Sequence, residues 1–267
     1  MIKSLLASYK KWQSKSSQDK RKAILLKLKS LSLLPFAFGK ANFMKIYLAY
    51  LPDSHIYFNA HPESTILFNQ FKRYNSFNSG DSARFWSFLL NIKQVMSEGI
   101  EGDFAELGVW RGNTAAILAY YAGINHRKLY LFDTYEGFSN KDLKGIDNNK
   151  FMDFSETSIE LVKEVVNDTY NVASYIKGYF PDTIEEIHRS TKYSIVSLDC
   201  DLYEPTKAGL SFFYPLMSKG GIIFLHDYSS MFWDGSKKAI DDFCKANNEF
   251  VILMPDKSGS AFIRKTQ

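Results

Sequence analysis

The fold predicted for this chain follows from residues 102–114, which read GDFAELGVWRGNT. The apolar residues Phe104–Leu107 predict a strand, and the run from Ala115 to Tyr121 is typical of a helix. Glycines between the two let a backbone come close to a ligand, and the free N–H groups at a helix start can hold a carboxylate. The stretch therefore predicts a strand, a glycine turn and a helix that together bind a ligand.

Short apolar segments alternate with helical stretches after this unit, which is typical of βαβ units and a mostly parallel sheet. The six further candidate strands are Leu129–Phe132, Ser174–Ile176, Ser194–Leu198, Gly221–Leu225, Phe250–Met254 and Ser260–Arg264. Only residues 255–259 separate the last two, and their Pro, Asp, Ser and Gly favour a tight turn. The sequence predicts a Rossmann-like, doubly wound α/β fold whose mostly parallel seven-stranded sheet ends in an antiparallel hairpin.

Residues 1–80 are predicted to form an N-terminal extension, and residues 81–267 the main domain. Residues 1–50 contain 11 Lys and Arg against one acid, whereas residues 51–267 carry a net charge of −6. Apolar residues at helical spacing predict two amphipathic helices, within residues 2–12 and 24–31. Such basic helices either contact an anionic membrane surface peripherally or dock on the main domain or a partner subunit.

Residues 41–79 follow no regular pattern and are rich in aromatic and polar side chains, so they are predicted to form an irregular lid segment. A helix is predicted next, from about Asp81 to Glu98, because apolar residues recur at helical spacing on one face. Asp81 is its candidate N-cap.

The sequence favours a cytoplasmic protein. The run that comes nearest to a membrane span, Leu31–Phe38, contains a proline and falls far short of the roughly 20 residues that span a bilayer. No signal-peptide pattern is visible at the start of the chain. Cys200 and Cys244 lack the spacing of a disulfide framework or a zinc site, which fits a reducing compartment.

The glycine turn favours one nucleotide cofactor over another. A nicotinamide-binding turn needs G-x-G-x-x-G, but Trp110 occupies the place of the second glycine. The pattern E-x-G-x-x-x-G, formed by Glu106, Gly108 and Gly112, suits S-adenosylmethionine (SAM), with Glu106 near its amino group and sulfonium. The alternative is a purely structural strand–helix turn.

Two further strand ends supply candidate residues for a nucleoside. Asp133 lies some 25 residues after the turn and can accept hydrogen bonds from both ribose hydroxyls, a role that serves NAD and SAM equally. At the next strand end, Gly178 and Phe180 with Tyr179 can flank an adenine ring. Equally, the residues after them can simply cap the following helix.

Acidic residues follow two adjacent predicted strands, as Asp199-Cys200-Asp201 and His226-Asp227. The carboxyl ends of parallel strands meet at one cleft, and carboxylates are the ligands that Mg²⁺ prefers. His226 instead favours a softer ion such as Mn²⁺, Fe²⁺ or Zn²⁺, or acts as a general base without touching a metal. Helix caps or ion pairs explain any one of these acids, but not the set as easily.

The stretches that carry these residues resemble the macrocin O-methyltransferase (TylF) family, in order and over roughly residues 80–245. They are residues 102–112, 133–137, 178–180, 199–204 and 227–228. The resemblance implies a class I SAM-dependent methyltransferase fold and transfer of a methyl group to a hydroxyl, typically on the sugar of a glycosylated natural product, with Mg²⁺. His226 departs from the family pattern, since members that act on macrolide sugars tend to have an acid there.

The resemblance carries over residue by residue onto Glu106, Gly108 and Gly112 for the cofactor, Asp133 for its ribose, and Asp199 with Asp227 for the metal. Together with the positions of the other residues in these motifs, it gives two sets of candidates. The cofactor-binding candidates are Glu106, Gly108, Trp110, Gly112, Asn113, Thr114, Asp133, Gly178, Phe180 and Asp199. The candidates for metal binding and catalysis are Asp199, His226 and Asp227.

The expected partners are SAM, a divalent metal and a small hydroxylated acceptor. A dimer is also expected from the resemblance, but nucleic acid is not, because the acidic main domain would repel a phosphate backbone. Two alternatives stay open, namely a SAM-binding interaction protein without catalysis and, less favoured, an NAD-dependent oxidoreductase.

Overall fold

The computed structural model describes residues 60–150 and 154–266. The two predicted basic helices and residues 41–59 of the lid segment lie outside the described residues. The chain divides into two compact units, Met1–Ser64 and Thr65–Gln267. All of the strands within the described residues, and every residue of the site, belong to the second unit.

The main elements alternate along the chain as predicted. The helices within the described residues are α1 (Ser64–Phe71), α2 (Ser82–Ser97), α3 (Asn113–Ile124), α4 (Ile159–Val166), α5 (Glu186–Ser190), α6 (Tyr203–Leu216) and α7 (Asp234–Asn247). The strands are β1 (Asp103–Leu107), β2 (Leu129–Asp133), β3 (Ala173–Lys177), β4 (Tyr193–Leu198), β5 (Met217–Leu225), β6 (Ile252–Leu253) and β7 (Ala261–Arg264).

The strands form one seven-stranded sheet in the order β3-β2-β1-β4-β5-β7-β6. Strands β1 to β5 are parallel, and β7 pairs antiparallel with both β5 and β6. The predicted Rossmann-like methyltransferase architecture with a terminal antiparallel hairpin is therefore confirmed.

The strand order reverses between β1 and β4, the two central strands. From β1 the chain winds through α3 to β2 on one side, and from β4 through α6 to β5 on the other. Because such crossovers are right-handed, α3 and α6 cover opposite faces of the sheet. Ligands of open α/β sheets bind at such a reversal, beyond the carboxyl ends of the strands.

The core forms where both faces of the sheet are covered. All six residues of β4 are buried, as are four of the five residues of β1. Phe213 of α6 packs edge-on against Phe132 of β2 and Tyr193 of β4, with ring centroids 6.0 and 5.2 Å apart. Such close packing fixes the strand ends from which the site is built.

Two local predictions were wrong and one was confirmed. The lid segment contains helix α1 where an irregular chain was expected, and β5 begins at Met217, four residues before the predicted Gly221. Helix α2 begins at Ser82, and the Asp81 side chain accepts the Arg84 N–H at 3.1 Å, as an N-cap should. No helix among residues 60–150 and 154–266 is both long and apolar enough to cross a membrane.

Candidate active site

A cavity of about 440 Å³ opens at the carboxyl ends of β1, β2, β3, β4 and β5. Eleven of the twelve predicted site residues line it, namely Glu106, Gly108, Trp110, Asn113, Thr114, Asp133, Gly178, Phe180, Asp199, His226 and Asp227. Gly112 does not. The volume lies in the range of small-molecule and cofactor sites.

Gly108 stands where β1 and β4 diverge. Its φ is +85°, and a Cβ atom there would overlap the backbone carbonyl of Asp199. The amide of Asp199 in turn donates to Leu107 O at 2.9 Å. Glycine is therefore required because the turn after β1 touches the turn after β4, which brings the predicted cofactor and metal residues together.

The other two positions of the turn have different roles. Trp110, in the place of the second glycine, adopts a left-handed conformation with φ +46°, which is uncommon for a bulky residue. Gly112 is the N-cap of α3 with φ +78°, and a Cβ there would lie 2.8 Å from Val162 Cγ1 of α4. The structure explains Gly112 by backbone conformation and by helix packing.

The carboxylate of Asp133 is largely engaged by the protein itself. Its Oδ2 accepts the amides of Val109 and Trp110 at 2.6 and 2.9 Å, and its Oδ1 accepts the amide of Tyr135 at 2.7 Å. Asp133 therefore clamps the glycine turn to the end of β2. The two carboxylate oxygens have four lone-pair positions, and these amides occupy three of them. If the weak 3.4 Å contact from Thr134 is set aside, one position remains for a ribose hydroxyl. The sequence had predicted hydrogen bonds to both ribose hydroxyls.

Unlike Asp133, Glu106 has a carboxylate oxygen that the protein leaves without a hydrogen bond. It lies at the end of β1 with 1% of its surface exposed, and its Oε2 has no hydrogen-bond partner. Burial and the nearby charge of Asp199 raise its pKa well above the ordinary value, although Ser197 donates a hydrogen bond that opposes the shift. An unpaired buried carboxylate oxygen is costly unless a cation or a donor meets it.

Residues at the start of α3 and after β3 complete this half of the cavity. The Asn113 side chain donates to Gln70 O and Arg73 O at 2.9 and 2.8 Å, so it ties the lid segment to α3. Thr114 is buried beside it. Phe180 is mostly committed to the core, stacked on Phe213 at 5.9 Å, which leaves Tyr179 as the more accessible ring after β3.

Four side chains converge at the ends of β4 and β5. Asp199, Asp201, His226 and Asp227 each offer a ligand atom, and these atoms all lie within 4.8 Å of one another. His226 Nδ1 is 2.7 Å from Asp199 Oδ1 and in close contact with Asp227 Oδ2. We call these four residues the acidic cluster.

The cluster residues strongly influence one another's charge. Burial opposes ionisation of Asp199, but His226 and Arg84 outweigh it and lower its pKa. Burial and Arg84 disfavour the charged form of His226, but Asp199 and Asp227 raise its pKa to about 10. Burial and the charges of Asp227 and Asp199 raise the pKa of Asp201 well above its ordinary value. Asp201 and Asp227 also have left-handed backbones, at φ +62° and +59°, and such strain is common in functional sites.

Aromatic side chains surround the mouth of the cavity. Trp110 lies between Phe77 and Phe154, at 6.3 and 5.3 Å, and Phe154 in turn meets Trp233 at 6.1 Å. Phe138 and Phe232 also line the cavity and contact Trp233. Flat apolar walls of this kind suit the face of a sugar or of an aromatic ring.

Among the polar cavity residues that were not predicted, two belong to the acidic cluster or contact it. Asp201 lies within the predicted acidic motif and joins the cluster. Arg84 comes from α2, and its Nη2 lies 3.1 Å from Asp199 Oδ2. Its position, one turn before the buried Phe88 and two turns before Ile92, marks a charge on the buried face of the helix, and this signal could have found it.

Comparisons with known proteins agree with this architecture. The sequence matches the model of the macrocin O-methyltransferase (TylF) family over residues 80–261. It is also similar to the solved O-methyltransferase NovP, with a TM-score of 0.59, 21% identity, and coverage of 69% of this chain and 80% of that one. That likeness concerns the fold.

Two relatives of described activity share about a quarter of the matched residues. A 4'-O-methyltransferase of a rhamnosyl tetracenomycin C from Streptomyces olivaceus is 26% identical over 57% of this chain and 61% of its own length. Demethyldecarbamoylnovobiocin O-methyltransferase from Streptomyces niveus is 24% identical over 57% of this chain and 62% of its own. The chain thus spans about three fifths of the relatives it matches.

Proposed function

Since the chain belongs to the macrocin O-methyltransferase (TylF) family, we propose that it transfers a methyl group from SAM to a hydroxyl of a small glycosylated acceptor, with the help of a divalent cation. The observation that carries this proposal is the meeting of Gly108 with Asp199, which joins a cofactor half and a cation half in one cavity. Methyl transfer needs the two reactants to be held in line, and positioning supplies much of its rate.

The cofactor half fits SAM by its chemistry. The unpaired Oε2 of Glu106 offers a negative charge to a cationic ligand, and SAM carries an ammonium and a sulfonium. The first N–H groups of a helix such as α3 have no partner within the helix and can receive a carboxylate. Asp133 holds the turn in shape and keeps one acceptor position for a ribose hydroxyl.

The acidic cluster fits a divalent cation. Ligand atoms around one ion lie within about 4 to 5 Å of one another, because each metal–ligand bond is about 2.0 to 2.6 Å long. The cluster meets this condition, and Nδ1 of His226 lies close to two of its carboxylates. Asp199, His226 and Asp227 would hold the ion, and it would supply Lewis acidity to the acceptor hydroxyl. Two carboxylates with one imidazole, and the Asp201 carboxylate beside them, suit Mg²⁺ or Mn²⁺.

The chain's own residues then have distinct tasks. Asp201 lies among the cation ligands and is the candidate to accept the proton from the acceptor hydroxyl. The aromatic side chains at the mouth, Trp110 and Phe154 among them, would pack on the acceptor and exclude water. A glycosylated acceptor is proposed because a relative that this chain matches is named for a rhamnosyl substrate.

Calorimetric titration of the full chain with SAM, S-adenosylhomocysteine and NAD, each repeated with MgCl₂, MnCl₂ or EDTA, tests this proposal. Binding of the two sulfur compounds without NAD is expected, as is transfer of label from [methyl-³H]SAM to one or more of a panel of deoxysugar glycosides that EDTA abolishes. Binding of NAD alone would point to an oxidoreductase and overturn the proposal. Tight SAM binding without any transfer across the panel would favour a SAM-binding interaction protein.

A further inference from the structure

Arg84 is a buried charge that the proposed chemistry does not use. It lies on the inner face of α2 with 8% of its surface exposed, and its guanidinium carbon is 5.7 Å from the centre of the Phe71 ring. A buried arginine is costly unless each side of its guanidinium fork is paired. The structure shows what pairs it on both sides.

The two ends of the fork have different partners. Nη2 lies 3.1 Å from Asp199 Oδ2, and Nη1 donates to Asn78 Oδ1 at 3.1 Å. The other oxygen of Asp199 faces His226. Arg84 and His226 therefore contact opposite oxygens of the Asp199 carboxylate.

The contact continues from Asn78 into the lid segment. The Asn78 side chain donates to Phe71 O at 2.7 Å, and its backbone amide donates to Asn75 Oδ1 at 3.2 Å. Asn75 donates to the Asn113 side chain at 3.0 Å, at the start of α3. A continuous chain of buried hydrogen bonds thus runs from the helix after the glycine turn, through residues 75–78, to Asp199.

We propose that Arg84 is the positioning residue of the cation site: its forked guanidinium fixes the Asp199 carboxylate and couples it to residues 75–78 at the mouth of the cavity. The inference rests on the proposed function, because it requires the acidic cluster to bind a cation. Partners that orient a metal ligand commonly change metal affinity by about 10- to 100-fold when they are removed. The whole fork matters here, since lysine can reach one partner but not hold both.

The sign of the effect separates positioning from simple charge. A guanidinium near a cation repels it, so loss of the charge alone would tighten binding. Loss of positioning would weaken it. Arg84→Gln removes the charge and the fork, whereas Arg84→Lys keeps the charge and loses the fork.

The test is a titration of the full chain with Mn²⁺, in which electron paramagnetic resonance measures the free ion. The proteins compared are the wild type, Arg84→Lys, Arg84→Gln and the control Arg73→Gln. Arg73 pairs with Glu164 on the surface, away from the acidic cluster. Both Arg84 variants are expected to lose about 10-fold or more in Mn²⁺ affinity. The affinity of every variant for S-adenosylhomocysteine, and the Mn²⁺ affinity of the control, should stay within about two-fold of the wild type. Normal binding of S-adenosylhomocysteine would also show that the variants are folded.

The possible failures are distinct. Unchanged or tighter Mn²⁺ binding by Arg84→Gln, or full affinity in Arg84→Lys, would overturn the positioning role while leaving the proposed function intact. A wild-type protein that binds S-adenosylhomocysteine but no Mn²⁺ would overturn the cation site of the proposed function, and the role of Arg84 with it.

Discussion

The two halves of the cavity differ in how far their polar groups are already satisfied. In the cofactor half, backbone amides are the main hydrogen-bond donors. Asp133 accepts three of them, which holds the glycine turn in place. In the cation half, four ionisable side chains lie close together, and Nδ1 of His226 contacts two carboxylates. The cofactor half therefore keeps the glycine turn in a fixed conformation, whereas the cation half gathers charged groups.

This difference predicts which substitutions affect the stability of the fold and which affect catalysis. A half in which most donors and acceptors pair with one another contributes to folding, because most of its buried polar groups are matched, with Oε2 of Glu106 as an exception. A half that gathers like charges stabilises little by itself and is costly until an opposite charge is present. Substitutions in the cation half should therefore affect turnover most, whereas substitutions at the junction should affect folding.

Asp199→Asn should have the largest effect on methyl transfer. Asp199 meets both Arg84 and His226, so its loss removes a cation ligand and leaves a buried guanidinium less well paired. We expect kcat to fall on the order of 1000-fold, the scale of losing a group that stabilises charge in the transition state. SAM affinity, measured by calorimetry, should change by only a few-fold.

Asp241→Asn is a matched control for this experiment. Asp241 pairs with Lys237 on the surface of α7, outside the cavity. Undiminished methylation and an unchanged metal response in Asp199→Asn would contradict the assignment of chemistry to the acidic cluster. A parallel loss of SAM binding would show instead that the two halves do not act separately.

Gly108→Ala should have the largest effect on folding, because it disrupts the contact between the β1 and β4 turns that joins the two halves. Its Cβ would overlap the Asp199 carbonyl at a backbone φ of +85°. We expect the free energy of unfolding in urea to fall by about 3 kcal/mol or more, as is usual for backbone clashes in a packed site.

Gly145→Ala separates conformational strain from the clash. Gly145 also has a positive φ, +56°, but no atom lies within 4 Å of its would-be Cβ. Strain alone should cost about 1 to 2 kcal/mol. Equal losses in the two variants would mean that the close approach of the β1 and β4 turns contributes nothing to stability.

The sequence predicted what is local and missed what depends on distant partners. The strand ends with Glu106, Asp133 and Asp199 follow from apolar runs that stop at polar residues, and the sheet order places them together. The partner of Arg84 is 115 residues away in the chain, and no local pattern reveals such a pair.

The errors in the fold have equally physical causes. Strand β5 begins four residues early because Met217 pairs with Tyr193 across a register shift, although polar and glycine residues follow it. Helix α1 was missed because its mixed composition hides the spacing of Leu67 and Phe71, which are both buried. Tertiary packing decided both elements against their local composition.

Glu106→Gln should have a smaller effect, with opposite signs for stability and binding. Because burial raises the pKa of Glu106 in the folded protein, its charge costs stability above the unfolded value of 4.5, and the cost grows as pH rises toward the raised pKa. The glutamine variant without ligand should therefore be more stable by about 1 kcal/mol at pH 7.5, the scale of relieving an unpaired buried group. Below pH 4.5 the carboxyl is neutral in both states, so the difference should vanish.

The same substitution should weaken SAM binding by about 10-fold, because the cationic ligand loses the carboxylate that faces it. Glu164→Gln, which changes an exposed partner of Arg73, serves as the control and should leave both SAM affinity and stability within a small margin of the wild type. Thermal unfolding across pH, with and without SAM, measures both effects in one series. A variant that binds SAM normally would show that Glu106 lies outside the ligand's reach. A loss of stability at pH 7.5 would show that the carboxylate is satisfied without any ligand, and that the cofactor half is complete in itself.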